Sequence, residues 1–126
     1  MYRAEVTCNP DASFKVKSAG HEFVMDINGK GIIPPDALLA SLAGCLGVYI
    51  QKYFRGSGLV LKDFSITAEA EFGKEKPVGF KEISVSIDLK GAGIDEHRKA
   101  PLLEFLKNCP IHNTLKMNPV INMKVI

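Results

Sequence analysis

Two cysteines are the residues of this sequence best suited to chemistry. Cys45 and Cys109 lie far apart along the chain, and a cysteine becomes a nucleophile when its thiol ionises to a thiolate. Two thiols that meet in a fold can also form a disulfide, which thiol exchange reduces again. Cys45 and Cys109 are therefore the candidate reactive residues, and their surroundings decide whether they react.

Cys45 lies within an apolar stretch, residues 37–50, and has Ala43, Gly44 and Gly47 beside it. Small neighbours allow another chain or a substrate to approach closely. A cysteine on an apolar helix is nevertheless usually a small hydrophobic core residue, and burial raises a thiol pKa and makes the group inert. The local sequence thus favours a structural role for Cys45 and leaves a reactive one open.

Cys109 has the more favourable local sequence. It directly precedes Pro110, a residue suited to the first position of a helix, so we expect Cys109 at the N-cap of a helix running to about Met117. Unpaired backbone N–H groups and the positive end of the helix dipole favour a thiolate there. His112 could support the anion, although a partly exposed polar role is the simpler interpretation. Cys8 ends a strand before a turn, and we interpret it as structural.

The first half of the chain contains the elements that must position Cys45. The period of two that is typical of strands predicts an antiparallel meander, with strands at 2–8, 14–17 and 21–27. The period then changes, and a long helix is predicted from Asp36 to about Arg55, with glycines as its stop signal. Because residues 37–50 are apolar on every side, we expect this helix to be buried on all faces, inside the fold or a dimer.

The second half of the chain must position Cys109. Alternating apolar residues predict two more strands, at 64–72 and 83–89, joined as a hairpin. A helix over 95–107 follows, in which Pro101 offers a point of division. After the helix that Pro110 opens, alternation predicts a closing strand around Met123. The order βββ-α-ββ-α-α-β indicates an α+β fold with antiparallel sheets, in a single domain over residues 1–126.

Composition excludes several classes of protein. The net charge of +2 is small and scattered over 126 residues, so neither nucleic acid nor an anionic membrane is expected as a partner. The apolar stretch 37–50 is shorter than the roughly 20 residues that cross a bilayer, and the start of the chain lacks a signal-peptide pattern. Three widely spaced cysteines predict neither a disulfide scaffold nor a zinc site. We therefore expect a cytoplasmic protein with reduced thiols.

Two segments, taken in order, resemble the motifs of the OsmC/Ohr family, the osmotically inducible and organic hydroperoxide resistance proteins. Residues 35–45 (Pro-Asp-Ala-Leu-Leu-Ala-Ser-Leu-Ala-Gly-Cys) are similar to the central-helix motif, and residues 108–115 (Asn-Cys-Pro-Ile-His-Asn-Thr-Leu) to the second cysteine motif. The order of elements fits the family over nearly the whole chain. The resemblance implies a tightly interlocked homodimer, with strands of both chains wrapped around two buried central helices.

The resemblance also implies a chemistry. Active members of the family are thiol peroxidases for organic hydroperoxides, and Cys45 matches their peroxidatic cysteine and Cys109 the resolving one. A hydroperoxide would oxidise Cys45 to a sulfenic acid, Cys109 would condense with it to a disulfide, and an external dithiol would restore both thiols. The family chemistry implies no metal, flavin or haem.

The sequence departs from the family pattern at two positions. The hydroperoxide-resistance branch places an arginine in the early strands, held by a glutamate of the central helix. The stretch 14–23 offers lysines instead, of which Lys17 is the candidate replacement, and Asp36 lies one position beyond the place of the glutamate. Asp36 is accordingly the third candidate site residue. A binding protein for a small apolar or acyl ligand is the alternative function, and a redox sensor or structural protein is a third.

Overall fold

A computed structural model describes residues 1–61, 63–92 and 94–126, which form two compact units, residues 1–40 and 41–126. The strands are β1 (Glu5–Cys8), β2 (Phe14–Ser18), β3 (His21–Met25), β4 (Ser65–Glu69) and β5 (Ser84–Asp88). The helices are α1 (Pro34–Ser57), α2 (Glu96–Leu106) and α3 (Pro110–Met117). All strand pairs within the two sheets are antiparallel, so the predicted α+β class is confirmed.

The first unit contains the predicted meander, β1-β2-β3. A two-residue turn joins β2 to β3, and its residues Ala19 and Gly20 have φ angles of 48° and 81°. Two consecutive left-handed residues give the turn a twist that matches that of the flanking strands. Strands β1 and β3 are shorter than predicted, because alternation extends into residues 2–4 and 26–27, which have no ladder partner in the sheet, whereas β2 is one residue longer.

A polar cluster connects the turn between β1 and β2 to the loop that follows β3. One carboxylate oxygen of Asp11 accepts hydrogen bonds from the backbone N–H and the hydroxyl of Ser13, at 3.0 and 2.6 Å, and the other lies 2.9 Å from Lys30 Nζ. The Ser13 and Lys30 contacts hold the pKa of Asp11 well below its usual range. Buried Asp26 accepts the backbone N–H of Lys30 at 2.9 Å. These contacts fix the loop that precedes α1.

Helix α1 begins at a proline pair and ends at a glycine. Gly58 has a φ of 68°, and the N–H of Leu59 donates to the carbonyl of Phe54, so a left-handed residue ends the helix. The predicted stop signal is therefore confirmed. Among the described residues α1 is the one helix long and apolar enough to cross a membrane by length and composition alone, a test that the core helix of a soluble protein also passes.

The expectation that α1 is buried on all faces is wrong for the single chain. Its buried residues follow a helical stripe with a spacing of three or four, namely Leu39, Leu42, Leu46, Ile50 and Phe54. On other faces Leu38 is 40% and Val48 47% exposed. The chain's own elements thus cover one side of an all-apolar helix, and the sequence pattern could not tell which side that is.

The second unit packs α1 against the β4–β5 hairpin and α2. A Cβ at Gly47 would lie 3.6 Å from Ile66 Cδ1, an ordinary contact distance, so β4 packs beside the helix here with room for a methyl group. Helix α2 is not divided at Pro101. The lost hydrogen bond costs stability, but Leu102 and Leu106 beyond the proline are buried in the core and hold the helix in place.

The predicted closing strand does not form. Asn118, with a φ of 46°, ends α3 in the left-handed conformation, and residues 118–126 have no strand pairing. The apolar side chains of this tail, Val120, Ile121, Met123, Val125 and Ile126, are exposed. Alternating apolar residues predict that a strand has one apolar face. A strand also needs a neighbouring strand edge with free N–H and C=O groups, and the tail has no such pairing in the single chain.

Candidate functional site

Cys45 lies midway along α1, at the margin of the core of the second unit. It is half-buried and packs against the buried cluster that α1 and α2 form. At four-residue spacing along the same helix stand Tyr49 and Tyr53, whose rings lie 5.9 and 5.6 Å from the ring of Phe105 on α2. The Cys45 thiol therefore belongs to a helix face that continues into an aromatic cluster.

Cys109 occupies the N-cap of α3, as the sequence predicts. Its backbone is extended (φ −61°, ψ 120°), Pro110 takes the first helical position, and the Sγ atom accepts the backbone N–H of His112 at 3.5 Å. The side chain is 0% exposed and is a member of the core cluster. Cys109 is both the N-cap residue of α3 and a member of the hydrophobic core, so local and tertiary contacts together fix the position of its sulfur.

The structure brings Cys45 and Cys109 together. Both are free thiols, Cys109 belongs to the buried core cluster, and Cys45 packs against that cluster. Burial is the main cause that raises the pKa of Cys109 above its ordinary value, and the neighbouring Cys45 raises it further. The Cys109 thiol therefore keeps its proton near neutral pH.

The expectation that its helix end makes Cys109 a favoured thiolate is wrong in its net direction. The backbone N–H groups of His112 and Ile111 do lower the pKa of Cys109, but burial and Cys45 outweigh them. Position within a helix can be predicted from Cys-Pro, whereas the degree of burial depends on what packs around the cap. The local sequence therefore indicates the two N–H groups that lower the pKa of Cys109 but not the larger effect of burial, which raises it.

The remaining candidate residues play other parts. The ring Nδ1 of His112 lies 3.2 Å from Asn113 Oδ1, so His112 acts on Cys109 through its backbone rather than its ring. Cys8 is exposed on β1 and donates to the carbonyl of Asn9 at 3.5 Å. Asp36, in the first turn of α1, and Lys17, on β2, are exposed residues of the first unit. The roles of Asp36 and Lys17 stay predictions.

Sequence reasoning missed the aromatic cluster beside the cysteine face. Tyr49 and Tyr53 stand four and eight residues after Cys45, a spacing that places all three on one side of a helix. That signal was available in the sequence. Nothing in the sequence indicated that Phe105 of α2 would pack against both tyrosine rings.

Two adjoining thiols of unequal exposure form a specific chemical arrangement. Cys45 is half-buried and open to a small reagent, whereas Cys109 is fully buried in the core against which Cys45 packs. Oxidation of the accessible sulfur would leave a second thiol in place to condense with it. Within the described ranges, no group of three or more His, Cys, Asp or Glu side chains is arranged to hold a metal ion.

The chain matches known proteins by sequence pattern and by fold. Residues 27–124 match the model of a family described as OsmC-like protein. No curated protein matches the sequence. An OsmC-like protein from Mycoplasma pneumoniae has a similar structure, with a TM-score of 0.81 and 21% identity over 92% of this chain and 87% of the other.

Two further solved structures are similar. A hypothetical protein from Aquifex aeolicus has a TM-score of 0.74 and 20% identity over 93% of this chain and 88% of its own. A Legionella pneumophila protein, described as an organic hydroperoxide resistance protein OsmC, predicted redox protein and regulator of sulfide bond formation, has a TM-score of 0.66 and 17% identity, over 94% and 90%. At these identities the three structures establish a shared fold.

Proposed function

This chain belongs to the OsmC-like protein family, and on that premise we propose that it is a thiol-dependent peroxidase that reduces organic hydroperoxides. The observation that carries the proposal is that a half-buried thiol, Cys45, packs against the core cluster that contains a fully buried one, Cys109. The description of the Legionella pneumophila protein as an organic hydroperoxide resistance protein supports the same chemistry.

The proposed cycle begins at Cys45, the thiol that a substrate can reach. The thiolate attacks one oxygen of the peroxide, the O–O bond breaks, and the other oxygen takes up a proton and leaves as an alcohol. The product at Cys45 is a sulfenic acid. The Cys109 sulfur then attacks the oxidised sulfur, forming the Cys45–Cys109 disulfide and releasing water, and an external dithiol restores both thiols.

The arrangement of the pair also fits the assigned order of the two cysteines. Cys45 is half-buried, whereas the neighbouring Cys109 thiol is fully buried and keeps its proton. A peroxide therefore reaches Cys45 first, and the Cys109 thiol then condenses with the oxidised sulfur. Lys17 and Asp36 are the further proposed contributors, and Lys17→Gln and Asp36→Asn test them by the rate of Cys45 oxidation.

In this proposal the working unit is a homodimer in a reducing cytoplasm. Two surfaces of the single chain support a partner copy, because Val48 on α1 and the apolar tail after Asn118 are exposed. Large exposed apolar surfaces mark interaction sites in soluble proteins. Light scattering coupled to size-exclusion chromatography should give twice the chain mass of 13.8 kDa, and a mass of one chain would contradict the dimer.

The decisive experiment counts thiols before and after one equivalent of an organic hydroperoxide, with cumene hydroperoxide as the probe. The wild type has three thiols and should rapidly lose two, whereas Cys45→Ser should lose none. Cys109→Ser should stop at the Cys45 sulfenic acid, which dimedone labels. Cys8→Ser is the matched control and should keep the full rate. Survival of all three thiols under prolonged exposure would refute the peroxidase.

A binding protein for a small apolar or acyl ligand is the second candidate. The observation that favours it is that Cys45 packs against an apolar core cluster and lies on the helix face that carries Tyr49 and Tyr53. In that case the thiols are core residues, and Cys45→Ser should leave the affinity for a fluorescent fatty-acid probe unchanged. A large loss of affinity in that variant would contradict the binding-protein alternative.

A further inference from the structure

We propose that the reductant opens the Cys45–Cys109 disulfide by attacking the sulfur of Cys45, so that the mixed disulfide forms on Cys45 and Cys109 departs as the leaving thiol. This rests on the proposed function, because it needs the disulfide of that cycle. Thiol exchange is directional, since an incoming thiolate bonds to one sulfur and expels the other. The two sulfurs here differ in access and in the groups that surround them.

Access favours Cys45. The Cys109 side chain is 0% exposed, whereas Cys45 is half-buried at the margin of the same core. Attack on a disulfide proceeds along the S–S axis, so the reagent must approach the attacked sulfur from the side opposite its partner. Cys109 belongs to the buried core cluster together with Leu106 and Phe54, so protein atoms cover its sulfur. A reagent therefore cannot reach the Cys109 sulfur unless core residues move.

The end of helix α3 supplies hydrogen-bond donors to a departing Cys109 thiolate, and these offset part of the opposing effect of burial on its pKa. Its sulfur is the cap of α3, where the N–H groups of His112 and Ile111 stabilise negative charge on it. In the reduced pair, negative charge on the neighbouring Cys45 sulfur would oppose ionisation of Cys109. That opposition disappears once the Cys45 sulfur is bound in a mixed disulfide and carries no charge. The buried helix end thus receives the departing thiolate.

The exchange balances in two steps. One thiolate of the dithiol bonds to Cys45 Sγ, the S–S bond breaks, and Cys109 takes up the proton that the attacking thiol lost. The second thiol of the reductant then attacks the reductant's own sulfur in the mixed disulfide, closes its disulfide and releases Cys45. With a reductant that has only one thiol, the neighbouring Cys109 can attack Cys45 again and reverse the first step.

The test locates the mixed disulfide in the Cys8→Ser background, which removes the exposed third thiol. Diamide forms the disulfide, and intact mass verifies the loss of two hydrogen atoms. The oxidised protein is mixed with 2-mercaptoethanol for increasing short times, quenched in acid, alkylated with N-ethylmaleimide at mildly acidic pH and digested with trypsin. Cys45 falls in peptide 31–52 and Cys109 in peptide 108–116.

At the earliest times the mercaptoethanol adduct should lie on peptide 31–52, and the maleimide on peptide 108–116. An adduct mainly on peptide 108–116, or equal amounts on both, would overturn the inference and leave the peroxidase proposal intact. If diamide and hydroperoxide both fail to join Cys45 to Cys109, the inference and the disulfide step of the proposed function fail together.

Discussion

The reduced protein should lose stability as the pH rises above about 9, because of the buried Cys109 thiol. Folding raises the pKa of this thiol above its ordinary value of 9.0. Between the two values the folded protein keeps the Cys109 proton and the unfolded chain has released it. Unfolding therefore becomes easier as protons are removed, and the contribution of Cys109, fully present below pH 9, falls through this window.

The magnitude follows from one proton. A single site that is protonated in the folded state and ionised in the unfolded state changes the free energy of unfolding by at most about 1.4 kcal/mol per pH unit. The loss should begin near pH 9 and stop at the raised pKa of the folded thiol. Tyrosines and lysines also titrate at alkaline pH, so the informative quantity is the difference between matched variants.

Urea denaturation at half-unit steps from pH 8 to 11, with a non-thiol reductant, measures this difference. Cys109→Ser keeps an N-cap oxygen that accepts from the helix N–H groups and cannot ionise in this range, so its stability should fall less steeply with pH than that of the wild type. Cys8→Ser removes an exposed thiol and should keep the wild-type slope. Equal slopes for Cys109→Ser and the wild type would refute the argument that burial controls this thiol.

Two further predictions concern the scaffold. Gly47→Ala should raise the free energy of unfolding by up to about 1 kcal/mol in urea denaturation, because alanine is the better helix former. The new Cβ would meet Ile66 at an ordinary distance of 3.6 Å. A destabilised variant would show that β4 cannot accommodate the methyl group. Asp11→Asn should lower the melting temperature at neutral pH and should make the melting temperature fall less steeply below about pH 4. Folding lowers the pKa of Asp11 from 3.8, so the stabilisation that the carboxylate provides is lost as it is protonated. An unchanged acid profile would contradict a role for the contacts of Asp11 with Ser13 and Lys30.

Much of the fold could be predicted because it is encoded locally. The meander, the hairpin, the glycine stop of α1 and the Cys-Pro start of α3 each depend on residues within a few positions of one another. Proline fixes φ and lacks an N–H, so Pro110 favours a helix that starts directly after Cys109. The two cysteine motifs, each a short segment, pointed to the family that the match over residues 27–124 confirms.

The tertiary structure decided what depends on neighbours distant in sequence. It buried one stripe of α1 although every side is apolar, left the tail after Asn118 unpaired, and placed Phe105 against two tyrosine rings. It also set the direction of the Cys109 pKa shift, because desolvation depends on every group packed around the sulfur whereas capping depends on the next three residues. The sequence by itself determined which thiols and helix ends exist, and only packing brought Cys45 against Cys109 and made one accessible and the other not.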